Sequence, residues 1–281
     1  ALCYCPECTK LFQLWCRRKY GNDIEKLNKD WVNAFWSLEY NSFEEILLPY
    51  DRPARANPGH MLDYTRFVSD STCDINREQA VILRKANPAW FVTHNGLMGY
   101  IDYAKFTKDM DFLGVDIYPG FIFDDHHFPA IHADKTRSFG GNFIVPELES
   151  GPGGQVGAML QTPIPGQMRL WGFQCAAHGA DGVMHFRWRS CRFGAEEYWC
   201  GVLDHDNKSR RRYEEFSREG NDFKRVGPEI MGTSVAIDAA VLIEYDQDQA
   251  HAANHLSMPS PLVVAETAHR DLWRRKLPVG V

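Results

Sequence analysis

Phe143-Ile144-Val145-Pro146-Glu147-Leu148-Glu149-Ser150-Gly151-Pro152-Gly153-Gly154 is the stretch on which the fold turns. A short apolar run, Phe143 to Val145, opens it; two carboxylates follow, and a glycine-rich turn closes it. Three other runs share the plan: Phe91 to Thr93 before His94-Asn95, Phe112 to Ile117 with Asp116-x-Tyr118-Pro119, and Val183 to Phe186 before Arg187-Trp188-Arg189. Runs without polar alternation suit strands buried on both faces of a parallel sheet. Longer helical patterns accompany them. Lys10 to Tyr20 and Pro58 to Lys85 precede the first strand, the latter with Asn57-Pro58 as cap and first-turn proline. Pro165 to His178 precedes the fourth and is ended by Gly179. Strands alternating with helices predict an α/β fold, a doubly wound sheet or a barrel. Polar residues at the C-terminal ends of successive parallel strands are where barrel active sites are built.

The 281 residues are 44% hydrophobic, enough for a sizeable core. A net charge of -6 gives nucleic acid or an anionic membrane no basic field to bind. No run of 18 apolar residues spans a bilayer. Cys3, Cys5 and Cys8 cluster, whereas Cys16, Cys73, Cys175, Cys191 and Cys200 are scattered. That is too sparse for a secreted disulfide scaffold, so a reducing compartment, the cytoplasm, is expected. A boundary is expected near Gly227-Pro228, after a charged helix from Arg210 to Lys224, giving domains 1–226 and 227–281. The second would open with a strand, Val235 to Tyr245, and a helix, Pro261 to Lys276. The chain starts at Ala1 without Met and stops in Leu277 to Val281, which reads like the start of a strand; both ends read as cut.

Glu147 stands just past its strand, and the glycines after it let backbone pass close to a ligand. Trp36, Tyr118, Phe186, Trp188, Tyr198 and Trp199 are candidate surfaces for the C–H faces of sugars. Core packing is the competing use, and for Trp188 an equal one. Sugar hydrolysis needs two carboxylates across the scissile bond, one of them a nucleophile in retaining enzymes. Glu147 suits the nucleophile; no acid/base partner stands out by spacing.

Longer motifs make a resemblance specific. Cys3-Tyr4-Cys5-Pro6-Glu7-Cys8, Arg18-Lys19-Tyr20-Gly21, Leu27-Asn28, Ala34-Phe35-Trp36-Ser37, Leu62-Asp63-Tyr64, Arg66-Phe67 and Thr93-His94-Asn95 resemble glycoside hydrolase family 42 β-galactosidases. So do Asp116-x-Tyr118-Pro119, Arg169-Leu170-Trp171, Ala177 to Gly182, Phe186 to Arg189 and Phe193-Gly194-x-Glu196-Glu197-Tyr198-Trp199, across roughly residues 3 to 225.

The resemblance implies the C-terminal half of a (β/α)8 TIM barrel followed by the beginning of a Rossmann-like α/β trimerisation domain. It also implies a β-galactoside substrate and a homotrimeric intact protein. The nucleophile maps to Glu147. Glu149 is the runner-up, because Glu-x-Glu in a strand points both side chains to one face. Trp36, Tyr118 and Phe186 map to the sugar pocket, and Glu196 or Glu197 to a residue holding sugar hydroxyls. Asp116, Tyr118 and Arg187 would order the site. Cys3, Cys5 and Cys8 offer three thiolates for a structural zinc, with free thiols as the alternative. Some members of the family close such a site with a fourth Cys from an earlier part of the barrel, which the resemblance puts outside the chain; Cys16, the only nearby substitute, is expected to face the core. The general acid/base is expected in an Asn-Glu pair ahead of the cysteines, so the 281 residues alone are expected to be inactive. Cys200 stands where many relatives have a sugar-binding His, which bears on affinity for galactose or the choice of sugar, and Gly154 to Gly157 stand where relatives often have Trp. Two rivals stay open: a barrel enzyme for another β-glycoside, and a zinc-binding module without activity, which the missing second cysteine pair disfavours.

Overall fold

The computed structural model describes residues 3–49, 57–96, 98–121, 125–155, 158–254 and 256–281. Its helices are α1 (Pro6–Lys19), α2 (Ile24–Asp30), α3 (Pro58–Ala86), α4 (Tyr103–Phe106), α5 (His127–Gly140), α6 (Gln167–Ala177), α7 (Arg211–Ile230), α8 (Tyr245–Ala253) and α9 (Pro261–Arg274). Its strands are β1 (Thr93–Gly96), β2 (Phe112–Ile117), β3 (Phe143–Glu149), β4 (Gly153–Gln155), β5 (Ala158–Leu160), β6 (Ala180–Phe186), β7 (Ala239–Ala240) and β8 (Val279–Gly280). The chain divides into two compact units.

The first unit comprises Ala1–Ile82, Met98–Phe106 and Ile243–Ala265. Cys5 caps α1 by accepting from the Cys8 amide, with Pro6 in the first turn and Arg17, Arg18 and Lys19 in the last. The Asp23 carboxylate caps α2 through the Glu25 and Lys26 amides. Asn57 caps α3 through Gly59 and His60. Phe12, Cys16, Leu27, Trp31, Ile46, Tyr64 and Phe67 form the core between these helices. At its edge Asp63, whose side chain is 2% exposed, accepts from Lys19, Tyr20, Trp31 and Arg66. Burial alone would raise that carboxyl, but its donors hold it below the ordinary carboxylate range.

The second unit comprises Leu83–Leu97, Thr107–Leu242 and Glu266–Val281. It is built on a four-stranded sheet in the order β1-β2-β3-β6, every pair parallel. α5 connects β2 to β3 and α6 connects β3 to β6, the βα alternation read from the sequence. Val115, Ile117, Phe143, Val145 and Leu148 pack with Ala133 of α5 and Trp171 and Cys175 of α6. Asp134 ties later elements to this layer: it meets Arg137 at 2.7 Å, His178 at 2.9 Å and His269 at 3.0 Å, and His269 meets His127 at 2.8 Å.

Several boundaries differ from expectation. β1 starts at Thr93, because the Val92 amide is drawn to the Asp111 carboxylate at 2.7 Å. β6 begins three residues early, at Ala180. The helix expected to stop at Lys224 runs to Ile230, with Pro228 in its last turn, where little remains for the ring to disrupt. The long strand expected over Val235 to Tyr245 shrinks to Ala239–Ala240, which pairs in parallel with Val279–Gly280. Glu244 instead caps α8 through the Gln247 amide, and Asp246 and Asp248 in its first turn favour a helix start.

Candidate active site

The polar ends of β1, β2, β3 and β6 lie side by side. Against β2, β3 pairs Gly114 with Ile144 and then Asp116 with Glu147, so β3 carries one residue more than its partner over that interval. Against β6 it pairs Val145 with Val183 and Leu148 with His185, again one residue longer. The extra residue is a bulge at Pro146, which has no amide to give a ladder. Gly114 leaves it room, since a methyl there would lie 3.0 Å from the proline ring. Phe143 and Val145 before the bulge and Leu148 after it all enter the helix-packed core. Glu147 and Glu149 therefore share the other face.

Glu147 is half-buried and accepts a 2.6 Å hydrogen bond from the Tyr118 hydroxyl. Burial first, and Glu147 second, push the Tyr118 phenol up, so it stays a donor. Its ring lies 6.4 Å from Phe186 and 5.8 Å from Trp199, giving an aromatic wall around the carboxylate. Asp116 is buried and accepts from Asn95 at 2.6 Å. Burial, with the Glu147 charge beside it, pushes its carboxyl up to about 6. Glu149 is 0% exposed and accepts from the Gly120 amide at 2.6 Å; burial pushes it up to about 8. Of the two glutamates, only Glu147 has surface a substrate could touch.

The remaining candidates spread out. Arg187 pairs with Glu196 at 2.9 Å, so its guanidinium is engaged on that exposed turn. Glu197 is half-buried in a shallow pocket with Arg192, Tyr198, His205 and Asp206. Cys200 is buried and donates to the Phe186 carbonyl at 3.1 Å. Trp36 belongs to the first unit, where it is 73% exposed on a 3-10 turn. Val32, Trp36 and Ser37 all have φ between 55° and 61°, a conformation costing about 1–2 kcal/mol per non-glycine residue. The sequence offers no signal for Gly120, names Asn95 only as a polar strand end without its Asp116 partner, and does not place Trp199 beside Tyr118.

The cysteine cluster converges as its spacing suggested. The Cys3, Cys5 and Cys8 sulfurs lie within 4.8 Å of one another, the only such group among the described residues. The Cys8 amide holds the Cys5 thiol below its ordinary range, which favours thiolate character. Cys16 is 0% exposed in the helical core and is not part of that group. Three converging soft donors at a helix start fit most of a closed tetrahedral site. All eight cysteines are free thiols, and no described helix is long and apolar enough to cross a membrane.

Comparison with known proteins matches residues 1–226 to the β-galactosidase family model of glycoside hydrolase family 42. A β-galactosidase Bga of Halorubrum lacusprofundi is 35% identical over 270 residues, covering 90% of this chain and 38% of that protein. The crystal structure of a β-galactosidase from the psychrophilic Marinomonas ef1 superposes with a TM-score of 0.91 at 29% identity, covering 99% of this chain and 46% of the other. A polyextremophilic β-galactosidase structure from Halorubrum lacusprofundi gives 0.90 at 33% identity, covering 99% and 44%. The chain thus spans less than half the length of these relatives.

Proposed function

The chain belongs to the glycoside hydrolase family 42 β-galactosidases, and on that premise we propose that it carries the nucleophile of a retaining β-galactosidase site, with Glu147 in that role. The observation that carries this is the pairing of a reachable Glu147 with the Tyr118 hydroxyl at the C-terminal end of a parallel strand. Glu147 would attack the anomeric carbon, forming a glycosyl-enzyme as the leaving oxygen departs. A second carboxyl would protonate that oxygen and then take a proton from the water that releases the sugar. The reading places this partner in an Asn-Glu pair outside these 281 residues. Tyr118 and Phe186 would bound the sugar, with Glu196 or Glu197 holding hydroxyls.

The four-stranded sheet is read as the C-terminal half of a (β/α)8 barrel, whose sites are built at this end of the strands. The parallel β7–β8 pair supports reading residues 227–281 as the opening of a Rossmann-like domain. The intact protein is proposed to be a homotrimer in a reducing, cytoplasmic setting. Cys3, Cys5 and Cys8 would hold a zinc ion that supplies cross-linking of the N-terminal segment and takes no part in hydrolysis.

The test is the full-length protein containing this sequence, assayed on a panel of nitrophenyl glycosides. Glu147→Ala should lose turnover of the β-galactoside, and added azide should restore it with an α-galactosyl azide product. Retained turnover, or the same rescue in Glu149→Ala instead, would overturn the assignment. Preference for another β-glycoside in the panel would move the substrate and keep the mechanism.

A further inference from the structure

The Tyr118–Glu147 pair leaves Glu149 without a task. Its carboxyl is wholly buried; Oε2 accepts from the Gly120 amide and Oε1 is a buried oxygen without a partner. A glutamate is an expensive way to fill a void, because a buried polar atom without a partner has lost its water and gained nothing for it. The backbone ladder between β2 and β3 gives the reason. Its last pair is Ile117 with Leu148, and the chain after Ile117 leaves the sheet through a 3-10 turn at Pro119–Phe121. Beyond that pair, side chains of β3 take over: Glu147 takes the Tyr118 hydroxyl and Glu149 takes the Gly120 amide. The fit is close. A methyl on Gly120 would stand 2.7 Å from Glu149 Oε2 and 2.9 Å from Cδ, so the carboxyl occupies the space a side chain at 120 would need.

We propose that Glu149 is a positioning residue whose carboxyl, clamped on the Gly120 amide, fixes the turn that carries Tyr118 onto Glu147. This rests on the reading of Glu147 as the nucleophile. The clamp is a neutral acid at neutral pH, since burial holds its proton up to about 8. The groups facing it agree with that state. Glu147 lies two residues away on the same face, and Asp116 and Tyr118 stand at the end of β2. The Cys200 thiol, pushed up to about 12 chiefly by burial, approaches from the segment after Trp199, and Arg187 at the end of β6 is paired with Glu196. A neutral clamp adds no second negative charge beside the nucleophile.

The experiment measures kcat and KM of the full-length protein on nitrophenyl β-galactoside for Glu149→Gln, Glu149→Leu, Tyr118→Phe and the double variant Glu149→Leu/Tyr118→Phe. Gln keeps a neutral acceptor for the Gly120 amide and should stay close to wild type. Leu should lower kcat by about 10- to 100-fold, the value of one hydrogen bond to a charged acceptor, with KM little changed. The double variant should be no worse than the worse single, because both act on one contact. Additive losses, a loss confined to KM, or a Gln variant as impaired as Leu would overturn the proposal. If the Leu variant does not fold, Gly120→Ala displaces the same carboxyl from the opposite side and takes its place in the cycle. If the wild type cleaves no glycoside, the nucleophile reading fails by itself. The clamp is then read from the ultraviolet titration of Tyr118, which should move to lower pH in Glu149→Leu; an unmoved titration overturns the clamp.

Discussion

Replacing Glu149 by Gln should stabilise the protein, and by an amount that depends on pH in a calculable way. The carboxyl is pushed from an ordinary 4.5 up to about 8 by burial. The folded state therefore holds the proton more tightly than the unfolded state between those values. The sign follows from linkage: stability from this group is fully present below pH 4.5 and is lost as pH rises toward 8. One pH unit in that window is worth about 1.4 kcal/mol. From pH 5 to pH 7.5 the wild type should lose roughly 3 kcal/mol through this side chain, whereas glutamine titrates nowhere. Glu149→Gln should thus match the wild type near pH 5 and exceed it by about 3 kcal/mol at pH 7.5, with other titrations cancelling in the difference. Urea midpoints at pH 5, 6, 7 and 7.5, read at constant slope, measure this directly. A difference that stays flat across the series, or grows toward acid, would refute the reasoning. It would mean that Glu149 is ionised in the folded protein and that the clamp carries a charge.

Two further outcomes test the rest of the chain. Asp63→Asn should cost about 3–5 kcal/mol, because it strips the buried partner from Lys19 and Arg66. As Asp63 titrates below the ordinary carboxylate range, its contribution is present above that range and lost as pH falls, so the variant's deficit should shrink in acid urea melts. Zinc analysis of purified protein should find metal that Cys5→Ser abolishes, and chelation should lower the melting temperature while leaving turnover per folded molecule unchanged. A zinc content equal in wild type and Cys5→Ser would remove the metal reading.

The sheet was legible because β2, β3 and β6 carry apolar runs of sheet-like length with polar residues at their ends, whereas β1, Thr93–Gly96, begins only where its apolar run stops. The Phe112 to Ile117 run coincides with β2, and the polar ends of the four strands lie side by side along one edge of the sheet. What failed was local. The Val235 to Tyr245 run is β-branched enough to read as a strand, but Glu244 offers the Gln247 amide a cap, and the chain turns helical there. The Gly227-Pro228 step looked like a terminator, yet a proline in the final turn of α7 has few bonds left to break. The His178–Asp134–His269–His127 chain escaped notice because its members come from three separate stretches of sequence. Nothing short of the fold brings them together.

The assignment of Glu147 was reached from the sequence, but strict alternation argues against it. Phe143, Val145, Glu147 and Glu149 are all odd-numbered, and a regular strand would send all four to one face. Phe143 and Val145 pack against α5 and α6, so that face is the helix layer, where an ionised nucleophile would be stranded. The bulge at Pro146 reverses the parity: Leu148 takes the place in the core that Glu147 would have held, and both glutamates turn to the other side. The device depends on two residues without catalytic chemistry. Pro146 supplies the extra position and withholds an amide that would otherwise compete for a ladder bond. Gly114, on the neighbouring strand, supplies the space the proline ring needs. A register slip of one residue flips every side chain that follows it. Restoring a regular strand here would therefore take Glu147, the proposed nucleophile, away from Tyr118 without changing Glu147 itself.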